Sequence, residues 1–227
     1  LKNTGIATGG VLGGALLGGL IGNPFGAKES ERQPAEVKEI IDYSETRQFF
    51  KRKEDFDVLS MATERIYPED ENGPGAIGLG VPYFIDKQLA GPWGTNSNDY
   101  MKKPFDTSVE TPLNRQNIFL QGLRKMNEVS QKEYQAGFVD LEEDQQIEIL
   151  ESFESSNIKM ELVSSAVFFA LLRQSTIEGC YTDPVYGGNK NMEGWRMKEF
   201  PGACMTFTDL VEEEEFVFLE PVSLKTQ

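Results

Sequence analysis

Apolar residues recur at helical intervals along most of this chain, and where the interval breaks, Pro, Gly and Asn crowd together. Over residues 53–67 they fall at Phe56, Leu59, Ala62 and Ile66, which puts them on one helical face. Pro68 ends that helix, because the residue before a proline is driven out of the α region. An acidic turn follows over residues 69–75. Residues 81–89 predict a second helix, with Pro82 tolerable only in its first turn. Residues 91–111, rich in Pro, Gly and Asn, predict an ordered but irregular loop. Residues 112–134 predict a long amphipathic helix that turns Ile118, Leu120, Leu123, Met126 and Tyr134 to the core. Asp140 is placed to cap a helix starting at Leu141, with Glu143 near the capping-box position and Ile147, Leu150 and Phe153 on one face. The densest apolar run, residues 160–177, contains Val163, Val167, Phe168, Phe169, Leu171 and Leu172 and predicts the central core helix. It is too short, and too closely flanked by Glu161 and Arg173, to span lipid.

Helical spacing stops over residues 178–202, where Gly179, Pro184, Gly187, Gly188, Gly194, Pro201 and Gly202 alternate with Tyr181, Tyr186, Trp195 and Phe200. A long aromatic loop inside a small domain is usually functional rather than a spacer. After it, Glu212, Glu213, Glu214 and Glu215 form a solvated acidic run. Phe216, Val217, Phe218 and Leu219 follow, able to pair as a strand or to dock on a partner. No repeat period appears. The pattern predicts a mainly α fold, an irregular helical domain with long ordered loops over residues 49–227, ending in an acidic tail. A linker over residues 28–48 and a Gly-rich apolar segment over residues 1–27 precede it.

That first segment carries no charge from Gly5 to Ile21 and follows Lys2. Its length is near the lower limit for crossing a bilayer, about 17–25 residues. The glycines lower its hydrophobicity and helix propensity, while the spacings Gly9 to Gly13 and Gly18 to Gly22 permit close helix approach in lipid. A weakly hydrophobic, Gly-rich core after a basic residue is how twin-arginine export signals read, and Leu1-Lys2 resembles the end of their consensus. The expectation is export in folded form to an extracytoplasmic, membrane-associated location. Residues 4–22 would either stay as a membrane-held helix or be removed by cleavage near residues 25–27. A buried Gly-rich helix or a disordered leader is the structural alternative.

Charge and composition narrow the chemistry. The chain has 227 residues, 22 Lys and Arg against 37 Asp and Glu, a formal net charge of −15 and no histidine. Hydrophobic residues at 39% are enough to build a core. The acidic balance repels phosphate backbones, which argues against nucleic acid as a partner. Without histidine there is no Ser-His-Asp triad, no Cys-His pair, no His-ligated zinc and no usual haem ligand. Cys180 and Cys204 form no CxxC motif. They are disulfide candidates: internal pairing would stabilise by roughly 3–4 kcal/mol on the chain-entropy model, and a bridge from Cys180 to a partner is the alternative.

Gly73-Pro74-Gly75-Ala76-Ile77-Gly78 matches G-x-G-x-x-G, but a helix and an acidic turn precede it instead of the strand a dinucleotide site needs. The acids Glu69, Asp70 and Glu71 do not follow the calcium-loop order either, so no metal site is expected. Paired carboxylates leave a stand-alone hydrolase as a competing class, and a cell-envelope structural protein as another.

The most specific string is Asp183-Pro184-Val185-Tyr186-Gly187-Gly188-Asn189, followed by Gly194-Trp195. Its glycines would let a partner backbone approach, and Tyr186 and Trp195 would supply rigid contact area; alternatively the turn is structural and Trp195 packs on its own core. With Phe200-Pro201-Gly202 and the upstream Ile66-Tyr67-Pro68, Gly73-Pro74-Gly75-Ala76, Phe84-Ile85-Asp86 and Leu89-Ala90-Gly91-Pro92, this string resembles the gluconate 2-dehydrogenase subunit 3 family. The resemblance implies a small, mostly helical, non-catalytic subunit of an exported dehydrogenase complex that oxidises a sugar, polyol or sugar acid. Such a subunit escorts and stabilises a catalytic subunit carrying FAD, and a cytochrome subunit with haem often completes the complex. It implies no cofactor and no catalytic residue in this chain. The expected partner-binding residues are Asp183, Tyr186, Gly187, Gly188, Asn189 and Trp195.

Overall fold

Five helices of ten or more residues carry the core in a computed structural model that describes residues 45–97, 99, 111–212 and 215–224. They are α1 (Lys53–Ile66), α2 (Val81–Ala90), α3 (Arg115–Tyr134), α4 (Glu143–Glu154) and α5 (Ser165–Tyr181), followed by the single-turn α6 (Glu193–Arg196). The fold is mainly α, with no β-strand among the described residues. The apolar N-terminal segment, the linker up to residue 44 and most of the 98–110 stretch lie outside the described residues.

Helix α1 buries Phe56, Leu59 and Ala62 and stops at Ile66, just before Pro68. In α2, Pro82 sits in the first turn as its missing N–H requires. Helix α3 starts at Arg115, three residues after Pro112, because the Asn114 side chain accepts the Asn117 amide at 2.9 Å. Two other starts also differ from the apolar pattern. Helix α4 begins at Glu143, not Leu141: Glu142 and Gln145 form the capping box, while Asp140 belongs to the 3-10 turn Phe138–Asp140. That shift turns Gln146, Ile149, Leu150 and Phe153 inward and leaves Ile147 exposed. Helix α5 begins at Ser165, where the Ser164 hydroxyl accepts the Val167 amide, so residues 160–163 precede the helix.

Helix α5 also runs past the expected stop, to Tyr181. Gly179 does not break it. A Cβ there would press on Phe84 and Val81 of α2, so this glycine permits close approach of the two helices. Helix α5 packs on α2 and α4, and α1 contacts the other four long helices. At the centre Phe168 meets Phe119 and Phe153 edge-on, with ring centroids 5.9 and 5.6 Å apart.

Two polar ties fix the segment ahead of α1 and the α1–α3 pair. The fully buried Asp86 of α2 accepts the backbone amides of Gln48, Phe49 and Phe50. Arg124 of α3 grips both carboxylate oxygens of Asp55, with its shortest contact at 2.9 Å. No helix among the described residues is long and apolar enough to cross a membrane.

Removing the Asp86 carboxylate leaves three amides without their acceptor. Asp86→Ala is expected to cost at least about 3 kcal/mol and to speed amide exchange at residues 48–50, measured by urea unfolding and hydrogen exchange. An unchanged midpoint would mean that this segment is not part of the cooperative unit.

Candidate interaction surface

Beyond Tyr181 the chain doubles back on α5, and one side chain organises the turn. Asn189 is fully buried at φ 40°, a left-handed conformation that Asn tolerates better than most residues. Its amide nitrogen Nδ2 donates to the Thr182 carbonyl at 2.8 Å, and its Oδ1 accepts the Gly194 amide at 2.8 Å. Its own backbone N–H donates to the Gly179 carbonyl at 2.9 Å. Gly188, at φ 72°, is obligatory, since a Cβ would collide with that same Gly179 carbonyl. Gly187 lies against Lys87 and Phe84 of α2.

Asp183 holds the other side of the turn. Its carboxylate caps the Pro184–Tyr186 turn through the Val185 amide at 2.9 Å. It also accepts the Ser223 hydroxyl at 2.7 Å and the Leu224 amide at 2.9 Å, from the far end of the tail. Burial alone would raise its pKa, but the Leu224 and Val185 amides and the Ser223 hydroxyl together hold it below the usual carboxylate range.

Trp195 packs within its own domain. Its indole N–H donates to the Tyr181 carbonyl at 2.8 Å, and its ring meets Phe200 edge-on at 5.4 Å. Nearby, the Tyr67 and Tyr181 hydroxyls are 3.0 Å apart, and burial followed by this hydrogen bond raises the Tyr67 pKa. Of the six residues expected to bind a partner, only Tyr186 offers a large side chain to solvent, at 57% exposure. It borders an open groove of about 610 Å³ lined also by Phe84, Gln88, Ile177 and Tyr181.

The two cysteines are both free thiols, so the expected internal bridge is not formed. Cys180 faces the core from the last turn of α5, where burial, with a smaller push from the Glu64 charge, raises its pKa to about 12. Cys204 is half-buried, with its Sγ 3.2 Å from the Thr206 carbonyl.

The G-x-G-x-x-G string has a structural use that its sequence does not announce. Glu64 of α1 accepts the Glu69 amide at 3.1 Å and the Ile77 amide at 2.7 Å, so a carboxylate of this chain sits on the loop's donors. No group of three or more Cys, Asp or Glu positioned to hold a metal occurs among the described residues.

The family model for gluconate 2-dehydrogenase subunit 3 matches residues 53–202, from the first residue of α1 to the glycine after the aromatic loop. The chain belongs to the gluconate 2-dehydrogenase subunit 3 family. No curated protein and no solved structure matches it. Membership makes it a subunit of a gluconate 2-dehydrogenase-like oxidoreductase complex. For a subunit 3 chain the extent of the match is informative: it covers the helices and the Asn189 turn, and it ends where the acidic tail starts.

Asn189→Ala would leave the Gly194 amide and the Thr182 carbonyl unpaired in the interior, at an expected cost of about 2–4 kcal/mol. Tyr186→Ala should stay within about 0.5 kcal/mol of the parent. Thermal melts of the two variants check the contrast; equal losses would contradict the burial difference. The lowered pKa of Asp183 sets a pH window as well. Its contribution is present above the unfolded value of about 3.9 and is lost as pH falls through the lower folded value. The tail's far end should therefore loosen below about pH 4, read by pepsin cleavage within residues 203–220.

Proposed function

We propose that this protein is the non-catalytic small subunit of an exported, flavin-dependent dehydrogenase complex that oxidises a sugar, polyol or sugar acid, and that it escorts and stabilises the catalytic subunit. The family match over residues 53–202 carries this reading. Two features support it. The chain has no histidine, the side chain that most often acts as general base near neutral pH. In the one loop singled out as functional, the polar groups of Asp183, Asn189 and Trp195 are engaged in intrachain bonds. The large hydrophobic side chains that loop exposes are Val185, Tyr186 and Phe200.

In this reading FAD belongs to the partner subunit, haem belongs to a cytochrome subunit, and the complex works outside the cytoplasm at the membrane. The weakly hydrophobic, Gly-rich residues 5–21 support export by the twin-arginine route. The route carries folded cargo, so a catalytic chain with cofactor already bound can travel with its escort.

Purification of the full chain from its native cells tests the proposal. A flavin-containing chain should co-purify, and sugar-acid dehydrogenase turnover should follow the complex and be absent from the subunit freed of its partner. Turnover by the rigorously isolated subunit, or the absence of any flavin chain, would overturn it.

A further inference from the structure

Residues 203–224 leave the helical body and return to it, and the two ends of this excursion are fastened together. Ala203 donates its amide to the Val222 carbonyl at 2.7 Å, and Val222 donates to the Pro201 carbonyl at 3.1 Å. The Asp183 carboxylate binds Ser223 and Leu224, and Glu220 pairs with Arg196 at 3.1 Å. Between these anchors the chain displays its apolar side chains instead of burying them. Met205 is 90% exposed, Val211 76% and Phe216 72%, and Phe207 and Phe218 are about half exposed. Phe207, Phe216, Val217 and Leu219 border a small cleft of about 190 Å³.

A large exposed apolar patch on a closed loop marks an interaction site, and its charge says what kind. Residues 203–224 contain Asp209, four consecutive glutamates and Glu220, and no Lys or Arg. An anionic lipid surface would repel such a segment, since membrane-binding apolar segments carry cations instead. A second copy, with a net charge of −15, would repel it too. Complementarity calls for a protein surface with an apolar cleft rimmed by Lys and Arg.

We infer that the described residues 203–212 and 215–224 form a clamped docking surface for the flavin-bearing catalytic subunit, which receives their exposed Met and Phe side chains in an apolar cleft flanked by basic residues. The inference rests on the function proposed above. The loop lies beyond the family match, which ends at Gly202, and in this inference it selects the particular partner. Asp183 is a positioning residue: it holds the loop closed and does not itself meet the partner.

The test uses the full chain co-purified with its flavin partner from native cells, with flavin released by denaturation and read by fluorescence. Phe216→Ser with Phe218→Ser should lower recovered flavin at least about tenfold, the scale of losing a central aromatic anchor. Met205→Asp with Val211→Asp, at positions exposed enough to leave the fold untouched, should do the same. The control Leu162→Ser, at a residue 67% exposed outside the loop, should retain the partner. Melting temperatures should stay unchanged throughout. Raised salt should weaken recovery for the parent chain, as the charge complementarity requires.

Full retention of flavin by both loop variants overturns this inference and leaves the proposed function standing. Absence of a flavin chain from the parent preparation overturns both. Two further results would overturn the docking role: binding of the parent to phosphatidylglycerol vesicles that the Phe variants abolish, or self-association that they abolish.

Discussion

The buried amide of Asn189 is the constraint on which the presented surface depends. One side chain and its own N–H bind Gly179 and Thr182 at the end of α5 and Gly194 at the start of α6. That closure fixes where the chain leaves the helical body, which sets the Pro184–Tyr186 turn against α2 and brings Trp195 under the Tyr181 carbonyl. It also compensates for backbone strain. Asn189, Asn191, Met192 and Glu199 all have positive φ within eleven residues, each costing of order 1 kcal/mol or more. Such a segment persists only where surrounding bonds over-determine it.

The division of labour along the chain follows from that closure. Within the helical body Phe168 packs edge-on against Phe119 and Phe153, Asp86 and Asp55 are bonded, and the Ile77 amide of the G-x-G-x-x-G loop is held by Glu64. In the proposed complex, what the chain offers a partner is the exposed apolar surface of its tail. On the proposed reading the subunit would contribute shape and apolar area to the complex while the reacting groups lie in another chain. Stability and docking would then be separable, since Asn189 and Asp86 bond within the body and the exposed tail residues do not.

Much of the body was legible in the spacing of apolar residues. The period of α1, its stop before Pro68 and the placement of Pro82 all followed from local stereochemistry. The starts of α4 and α5 did not, because the apolar pattern extends beyond the caps: Glu142 rather than Asp140 caps α4, and Ser164 caps α5 inside the apolar run that begins at residue 160. The end of α5 was misjudged because Gly179 reads as a breaker, whereas its missing side chain serves contact with α2. In the loop, the reading of a structural turn with Trp195 packed on its own core matches the bonds observed, but the sequence did not announce their partners. Asn189 bonds to near neighbours, a pattern that an Asn between a Gly pair and a later Gly could have signalled. Asp183 finds Ser223 forty residues away, and no local signal announces such a partner. The free state of Cys180 depends likewise on which face of α5 turns inward.

The four glutamates ahead of Phe216 have one more consequence, which concerns the time before assembly. Phe216-Val217-Phe218-Leu219 has high strand propensity and exposes its first three side chains, and such windows nucleate cross-β pairing between chains. Glu212 to Glu215 on one side, and Glu220 with Pro221 on the other, are the gatekeepers that interrupt it: like charges stacked in register repel, and proline withholds a ladder donor. In the proposed complex, a subunit made before its partner would carry these apolar residues uncovered, and the acidic flanks would hold such chains apart.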